Sequence, residues 1–346
     1  MKSKLYNLLL PIAAFAMIAL AGALTSCEGP EGKPGTNGTN AAEGCTICHN
    51  NSTKMLSRQL QWAASLHATG TAFARSTNQC AGCHTSDGFR ETLMTGADTT
   101  GGTIMNPTGQ NCRTCHFVHR NYDSTDYELT TTAPVKLRIN KDYAADVKKG
   151  NLCVKCHQPR VPSPMVTLQT TNDIKFNNNR WGPHESVTSG IFFGQGVYRV
   201  AGSAPYPDGD QNPHKGVQNG CIGCHMGPSY GTQAGGHTMK MRYDNEGSIV
   251  DNVAACNVAG CHSGLKNFDL DGVRTKVAAD LKELHELLKG RGLVDEEGLS
   301  VPGKTATAKE AGIVLNFMLI ERDKSLGVHN PRLVKALLTN SIEALK

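Results

Sequence analysis

Aromatic residues are scarce. They make up 5% of the 346 residues, with two tryptophans and nine phenylalanines, too few for an ordinary core in a chain of this length. Beyond Leu24 no apolar run approaches the roughly 20 residues that a bilayer-spanning helix needs, and hydrophobic residues reach only 39%, so a bundle of membrane helices is excluded. Charged residues are also few, at 19%, and residues 263–346 contain no cysteine. Against these shortages stand thirteen cysteines, thirteen histidines and 37 glycines. So much glycine predicts turns and close backbone approaches rather than long regular elements.

The first residues read as an address. Lys2 and Lys4 precede an apolar stretch from Leu5 to Leu24, which ends in Leu24-Thr25-Ser26-Cys27. That order of charge, apolar run and small-residue exit is a secretory signal. Its end resembles the lipobox of bacterial lipoproteins, in which the cysteine is acylated. Residues 1–26 are therefore expected to be a lipoprotein signal peptide, with Cys27 carrying the membrane anchor. Glu28 in the next position favours the outer membrane over inner-membrane retention. Glycines 29, 32, 35 and 38 recur every third residue, too briefly for a triple helix, so residues 27–44 are read as a flexible tether.

The chemistry lies in the cysteine pairs. Five Cys-x-x-Cys-His motifs occur: Cys45-Cys48-His49, Cys80-Cys83-His84, Cys112-Cys115-His116, Cys153-Cys156-His157 and Cys221-Cys224-His225. A sixth, Cys256 to Cys261-His262, has four residues between its cysteines. Twelve cysteines are used in pairs and Cys27 is the thirteenth. This motif marks covalent haem c attachment: two thiols add to the two vinyl groups, and the adjacent histidine binds the iron. Zinc also takes paired cysteines, but does not require a histidine after each pair. Six haem c groups are predicted. They explain the aromatic shortage, because porphyrin replaces side-chain core. They also reverse the charge, since each ferric haem brings two propionates against one positive charge and six outweigh the formal +5. A nucleic-acid partner is thereby excluded.

The motifs resemble those of multihaem c-type cytochromes. In addition, His214-Lys-Gly-Val-Gln-Asn-Gly-Cys221-Ile-Gly-Cys224-His225-Met226, followed by Gly-Gly-His237, resembles a stretch of the pentahaem nitrite reductase and hydroxylamine oxidoreductase superfamily. The resemblance implies that His214 and His237 ligate haem iron. The pentahaem nitrite reductases hold their catalytic haem through Cys-x-x-Cys-Lys. This chain has no such motif, so the scaffold likeness does not extend to nitrite reduction.

Seven histidines lie outside the motifs: His67, His119, His184, His214, His237, His285 and His329. Six irons need six distal ligands, which leaves one spare. His119 follows His116 by three residues, on one face of any helix there, and is expected to bind a neighbouring iron rather than its own. His67, His184, His214, His237 and His329 complete the candidate set. His285 sits at the edge of the stripe Val277, Leu281, Leu284 and Leu288, and is expected to be the spare. Met226, Met239 and Met241 are read as packing. Arg180 and Tyr198, in the long gap between the fourth and fifth motifs, are the candidates for lining a substrate pocket if one haem is open.

Residues 263–346 read as helices over about 274–290, from a capping box Thr307–Glu310 to about Asp323 with Gly327 as the stop, and after Asn330-Pro331. The expected fold is mostly α with extensive irregular loops and little β, a hexahaem domain over 45–262 packed around its haem array, and a C-terminal helical segment over 263–346. The expected function is electron relay in respiratory or extracellular electron transfer, without catalysis, between other redox proteins as donor and acceptor. The alternatives are a reductase or oxidase of small nitrogen or sulfur compounds, and a subunit of a cytochrome filament.

Overall fold

The computed structural model describes residues 45–46, 49–50, 52–208 and 211–346. The expected signal peptide and tether, Cys27 and Cys48 lie outside the described residues. Residues 1–47 and 48–346 form two units, and the second holds every helix and strand from Thr53 onward. About 40% of the chain is helical and 9% strand, consistent with a helix-rich, loop-rich fold of little β. Among the described residues no helix is long and apolar enough to cross a membrane.

The helices are α1 (Thr53–Ala63), α2 (Leu66–Thr69), α3 (Asn78–His84), α4 (Ser86–Thr95), α5 (Cys112–Cys115), α6 (Asn151–Val154), α7 (Thr188–Phe193), α8 (Cys221–His225), α9 (Val273–Gly290), α10 (Ala308–Asp323) and α11 (Pro331–Glu343). Caps set their starts. Ser52 accepts from the Met55 N–H to begin α1, and Asn111 forms a reciprocal capping box with Thr114 around α5. The strands pair antiparallel in twos: β1 (Val135–Leu137) with β2 (Asn140–Ala145), β3 (Ile174–Lys175) with β6 (Thr305–Ala306), and β4 (Arg242–Asn245) with β5 (Ser248–Asp251).

The apolar core sits in the C-terminal half. Helix α10 is apolar almost all round and buried on every side, as its composition dictates. It packs against α7, α9 and α11, and shares one core with Val166, Ile174, Phe176, Trp181 and Val200. Each fully buried Leu, Ile or Phe there contributes about 1.5–3 kcal/mol. Before Val135, by contrast, the buried apolar residues among those described are Ala81 and Phe89. From Val135 onward the motif-bearing part has a second small core of Val135, Leu137, Ala145, Val147, Val154, Phe192 and Phe193, against which Cys221 packs.

The capping box at Thr307 is present, but α10 stops at Asp323 because Lys324 takes the left-handed conformation at φ 59°. Gly327, the expected stop, shapes the following turn at φ 89°. Helix α11 starts with Pro331 in its first turn and the Asn330 side chain as cap.

One candidate pocket residue is corrected. Tyr198 is 8% exposed and packs its ring on Gly312 of α10, while its main chain exchanges two hydrogen bonds with the buried Asn316 side chain (2.8 and 2.6 Å). Arg180 is exposed. A Cβ on Gly312 would meet Tyr198 Cγ at 2.2 Å, so Gly312→Ala is expected to cost about 1–3 kcal/mol or more by overpacking, read as a lowered thermal midpoint.

Candidate metal centres

Each of the four short motifs from Cys80 onward occupies a single helical turn, which puts its two cysteines on one face and its histidine at the exit. Cys80 and Cys83 lie on α3, Cys112 and Cys115 on α5, and Cys221 and Cys224 on α8; Cys153 lies on α6, with Cys156 just past it. The turn is closed by the histidine N–H donating to the carbonyl of the first cysteine, at 2.8 Å for His116 to Cys112 and 2.9 Å for His157 to Cys153. The long motif keeps that closure: His262 N–H donates to the Cys256 carbonyl at 3.2 Å, with the two extra residues looped out.

Every motif histidine faces one histidine from outside the motifs. The ring centroids are 6.0 Å apart for His49 and His119, 6.1 Å for His84 and His184, 6.3 Å for His116 and His237, 5.9 Å for His157 and His67, 6.1 Å for His225 and His329, and 6.4 Å for His262 and His214. A metal ion bound at about 2.0 Å by a ring nitrogen on each side holds two imidazole centroids roughly 6 Å apart. Among the described residues no group of three or more His, Cys, Asp or Glu side chains converges to hold a metal ion. Two imidazoles on opposite sides are what a porphyrin, with its own four nitrogens, leaves for a protein to supply. The residues therefore fit haem.

His285 is outside this scheme. It stacks on Phe317 at 5.3 Å and its Nε2 donates to the Asp295 carbonyl at 2.9 Å. His119 does not share a helix with His116, because α5 ends before it. It lies in the loop at φ 62°, and its ring reaches His49. His184 is likewise held at positive φ, 68°. A non-glycine residue adopts that conformation only where its surroundings impose it.

Second partners fix the rings. The Nδ1 of His116 donates to the Tyr127 carbonyl (2.7 Å), that of His225 to Met239 (3.0 Å) and that of His184 to Glu185 (3.2 Å). Such bonds leave Nε2 as the ligating atom. Met239 thus acts through its main chain. Gln61 of α1, 8% exposed, accepts the His237 N–H at 3.0 Å and donates to Gly231. Asn212 accepts the His214 N–H at 3.1 Å and donates to the His329 carbonyl at 2.7 Å, tying two ligand segments together. The residues with clearest consequence that the sequence reading missed are Gln61, Asn212 and Asp323. Asp323 carried a signal: an acidic side chain in the last turn of a helix opposes the helix dipole.

Burial keeps the imidazoles in the neutral, ligating form. It pushes His157 down to about 4 and His237 to about 4, with neighbouring histidine charge adding to both, and it lowers His67, His84, His184, His214 and His225. His329 is the exception. Burial opposes its charge, but the Asp323 carboxylate at 2.7 Å outweighs burial and raises its pKa. Burial likewise pushes the Cys115 thiol up to about 11.

The centres are neighbours. The Cys83 thiol lies beside that of Cys156, and Cys153 beside that of Cys221. Cys115 lies close enough to Cys153 and Cys156 for charge to act between them, as does Cys224 to Cys256 and Cys261.

A family model described as "Outer membrane cytochrome MtrC/MtrF-like, domains II/IV" matches residues 24–129. No curated protein matches the chain. The chain has the fold of a multihaem cytochrome: it superposes on the crystal structure of the outer cell wall cytochrome OcwA with a TM-score of 0.52 at 18% identity, covering 84% of this chain and 50% of that one. It thus spans half the length of OcwA. An undecahaem cytochrome from the S-layer of Carboxydothermus ferrireducens aligns over 84% of this chain and 39% of its own, with a TM-score of 0.43 and 15% identity.

Proposed function

We propose that this chain is an exported hexahaem c-type cytochrome that relays electrons through a chain of bis-histidine haems at the cell surface. The carrying observation is the one-to-one pairing: each of six motif histidines faces one distal histidine, at separations between 5.9 and 6.4 Å, and His285 is left out. The donor set is Cys45, Cys48, Cys80, Cys83, Cys112, Cys115, Cys153, Cys156, Cys221, Cys224, Cys256 and Cys261 for attachment, with the twelve paired histidines on the irons.

Haem held by these residues supplies one-electron exchange between Fe(III) and Fe(II). The histidine pairs keep each iron six-coordinate and leave no position for substrate, which favours relay over the nitrite reductase-like alternative. Numbering the centres by motif order, the neighbouring cysteines support centre 4 beside 2, 3 and 5 and centre 6 beside 5, and the short link from His116 to His119 supports 3 beside 1. The array is thus branched at centre 4. Lys155 and Arg138 beside Cys83 supply positive charge for propionates. All six histidine pairs form within one chain, so no ligand has to come from a second copy, as a ligand-exchanging filament would require.

The matched family description supports the outer membrane as location, and the lipobox supports acylated Cys27 as the anchor. The partners are then other redox proteins that pass electrons in and out.

The test is intact mass together with EPR of the oxidised protein. Expected are six covalent haems and low-spin ferric signals alone, unchanged by nitrite or hydroxylamine. A native high-spin haem that binds nitrite would move the protein to the enzyme reading. A mass with five haems, and Cys256 and Cys261 free, would remove the sixth centre.

A further inference from the structure

We propose that Asp323 lowers the reduction potential of the iron held between His225 and His329, by drawing the Nδ1 proton of His329 toward its carboxylate. The inference rests on the bis-histidine reading above and adds to it a positioning residue that tunes one centre.

The geometry is specific. Asp323 Oδ1 lies 2.7 Å from His329 Nδ1, and the Asp323 side chain is 1% exposed. Its other oxygen accepts from the Ser325 hydroxyl. Among the described residues no other histidine forms an ion pair with a carboxylate; the ring nitrogens of His116, His184, His225 and His285 all face main-chain carbonyls. A hydrogen bond to a charged acceptor is about twice as strong as one to a neutral acceptor. Asp323 also sits at the C-terminal end of α10, where the helix dipole disfavours negative charge and so favours a carboxylate that shares a donated proton.

An imidazole whose Nδ1–H is pulled toward a carboxylate is a more basic ligand at Nε2. A more basic ligand stabilises Fe(III) over Fe(II), so the potential falls. One electron enters this iron from a neighbouring centre and leaves to another, and His329 keeps its proton throughout. The position gives the effect a consequence. The His225 and His329 rings act by charge on His157 of centre 4, and His329 on His214 of centre 6. Asp323 therefore raises whatever step electrons passing between centres 4 and 6 meet at centre 5.

The test is redox titration of Asp323→Asn holoprotein, followed optically and by EPR. Expected is a rise of one midpoint potential among six, at least tenfold in that haem's Fe(III)/Fe(II) equilibrium, which is about 59 mV for one electron. The haem stays low-spin, because Asn still accepts the Nδ1–H. Ser325→Ala, which removes the donor to Asp323 and sharpens its charge, is expected to shift the same haem downward, and it serves if the Asn variant does not accumulate. Unchanged potentials in both variants would overturn the inference. So would conversion of a haem to high-spin in Asp323→Asn, since Asp323 would then merely hold the ring. A wild-type protein with fewer than six haems, or with a high-spin haem, would instead fail the underlying reading.

Discussion

His237→Ala is expected to convert one low-spin ferric haem to high-spin and to open it to nitrite, cyanide or carbon monoxide, while five haems stay unchanged. The ring of His237 faces His116 at 6.3 Å, and the remaining distal histidines are each committed to another motif. Its placement is costly to build. Gly235 and Gly236 both adopt positive φ to make the turn, and Gln61 reaches across from α1 to hold the His237 N–H. A Cβ on Gly236 would sit 2.3 Å from the Gln61 side-chain oxygen, so the turn accepts only glycine there. Burial keeps the imidazole neutral, with a pKa of about 4. His285→Ala is the matched control. It removes a stack on Phe317 and a bond to the Asp295 carbonyl, which lowers thermal stability and leaves all six spectra intact. A high-spin signal in His285→Ala, or none in His237→Ala, would break the pairing scheme.

The contrast between these two histidines shows what was legible. The attachment motifs are local, so their chemistry can be read directly, and His285 declared itself by sharing a helical stripe with Leu281, Leu284 and Leu288. Which distal histidine meets which motif was not readable, because His67, His184 and His329 reach their partners across segments whose path is set by tertiary packing. The helix starts at Thr307 and Pro331 were legible from caps. The end of α10 at Asp323 was legible too, but not the residue that stops it, since Lys324 accepts a left-handed conformation usually left to glycine. Tyr198 looked available for a pocket because the notch that receives its ring, at Gly312, exists only once α10 and the loop before Val200 are packed together. Gln61, Asn212 and Asp323 were silent because a side chain that supports a ligand has no fixed spacing from it.

Removing centre 4 is expected to be far more damaging than removing centre 1. His157 and His67 are half-buried, and burial depresses the pKa of both. The thiols of Cys153 and Cys156 lie beside those of Cys221 and Cys83. Haem there lies between a small core around Val154 and Cys221 and the segment before Val135, where Ala81 and Phe89 are the buried apolar residues described. Cys153→Ala with Cys156→Ala would leave a void much larger than a truncated leucine or phenylalanine leaves, so the cost should exceed the about 5 kcal/mol at the top of that range. The expected result is a holoprotein that fails to accumulate, or one that melts far lower with five haems and no longer equilibrates electrons among centres 2, 3 and 5. At centre 1, Cys45, His49 and His119 are exposed. Cys45→Ala with Cys48→Ala should therefore yield a five-haem protein of nearly unchanged melting temperature, with the other potentials in place. Intact mass, thermal melting and flash-initiated electron redistribution on both double variants check this. Equal stability of the two would mean that centre 4 is not the structural junction of the array.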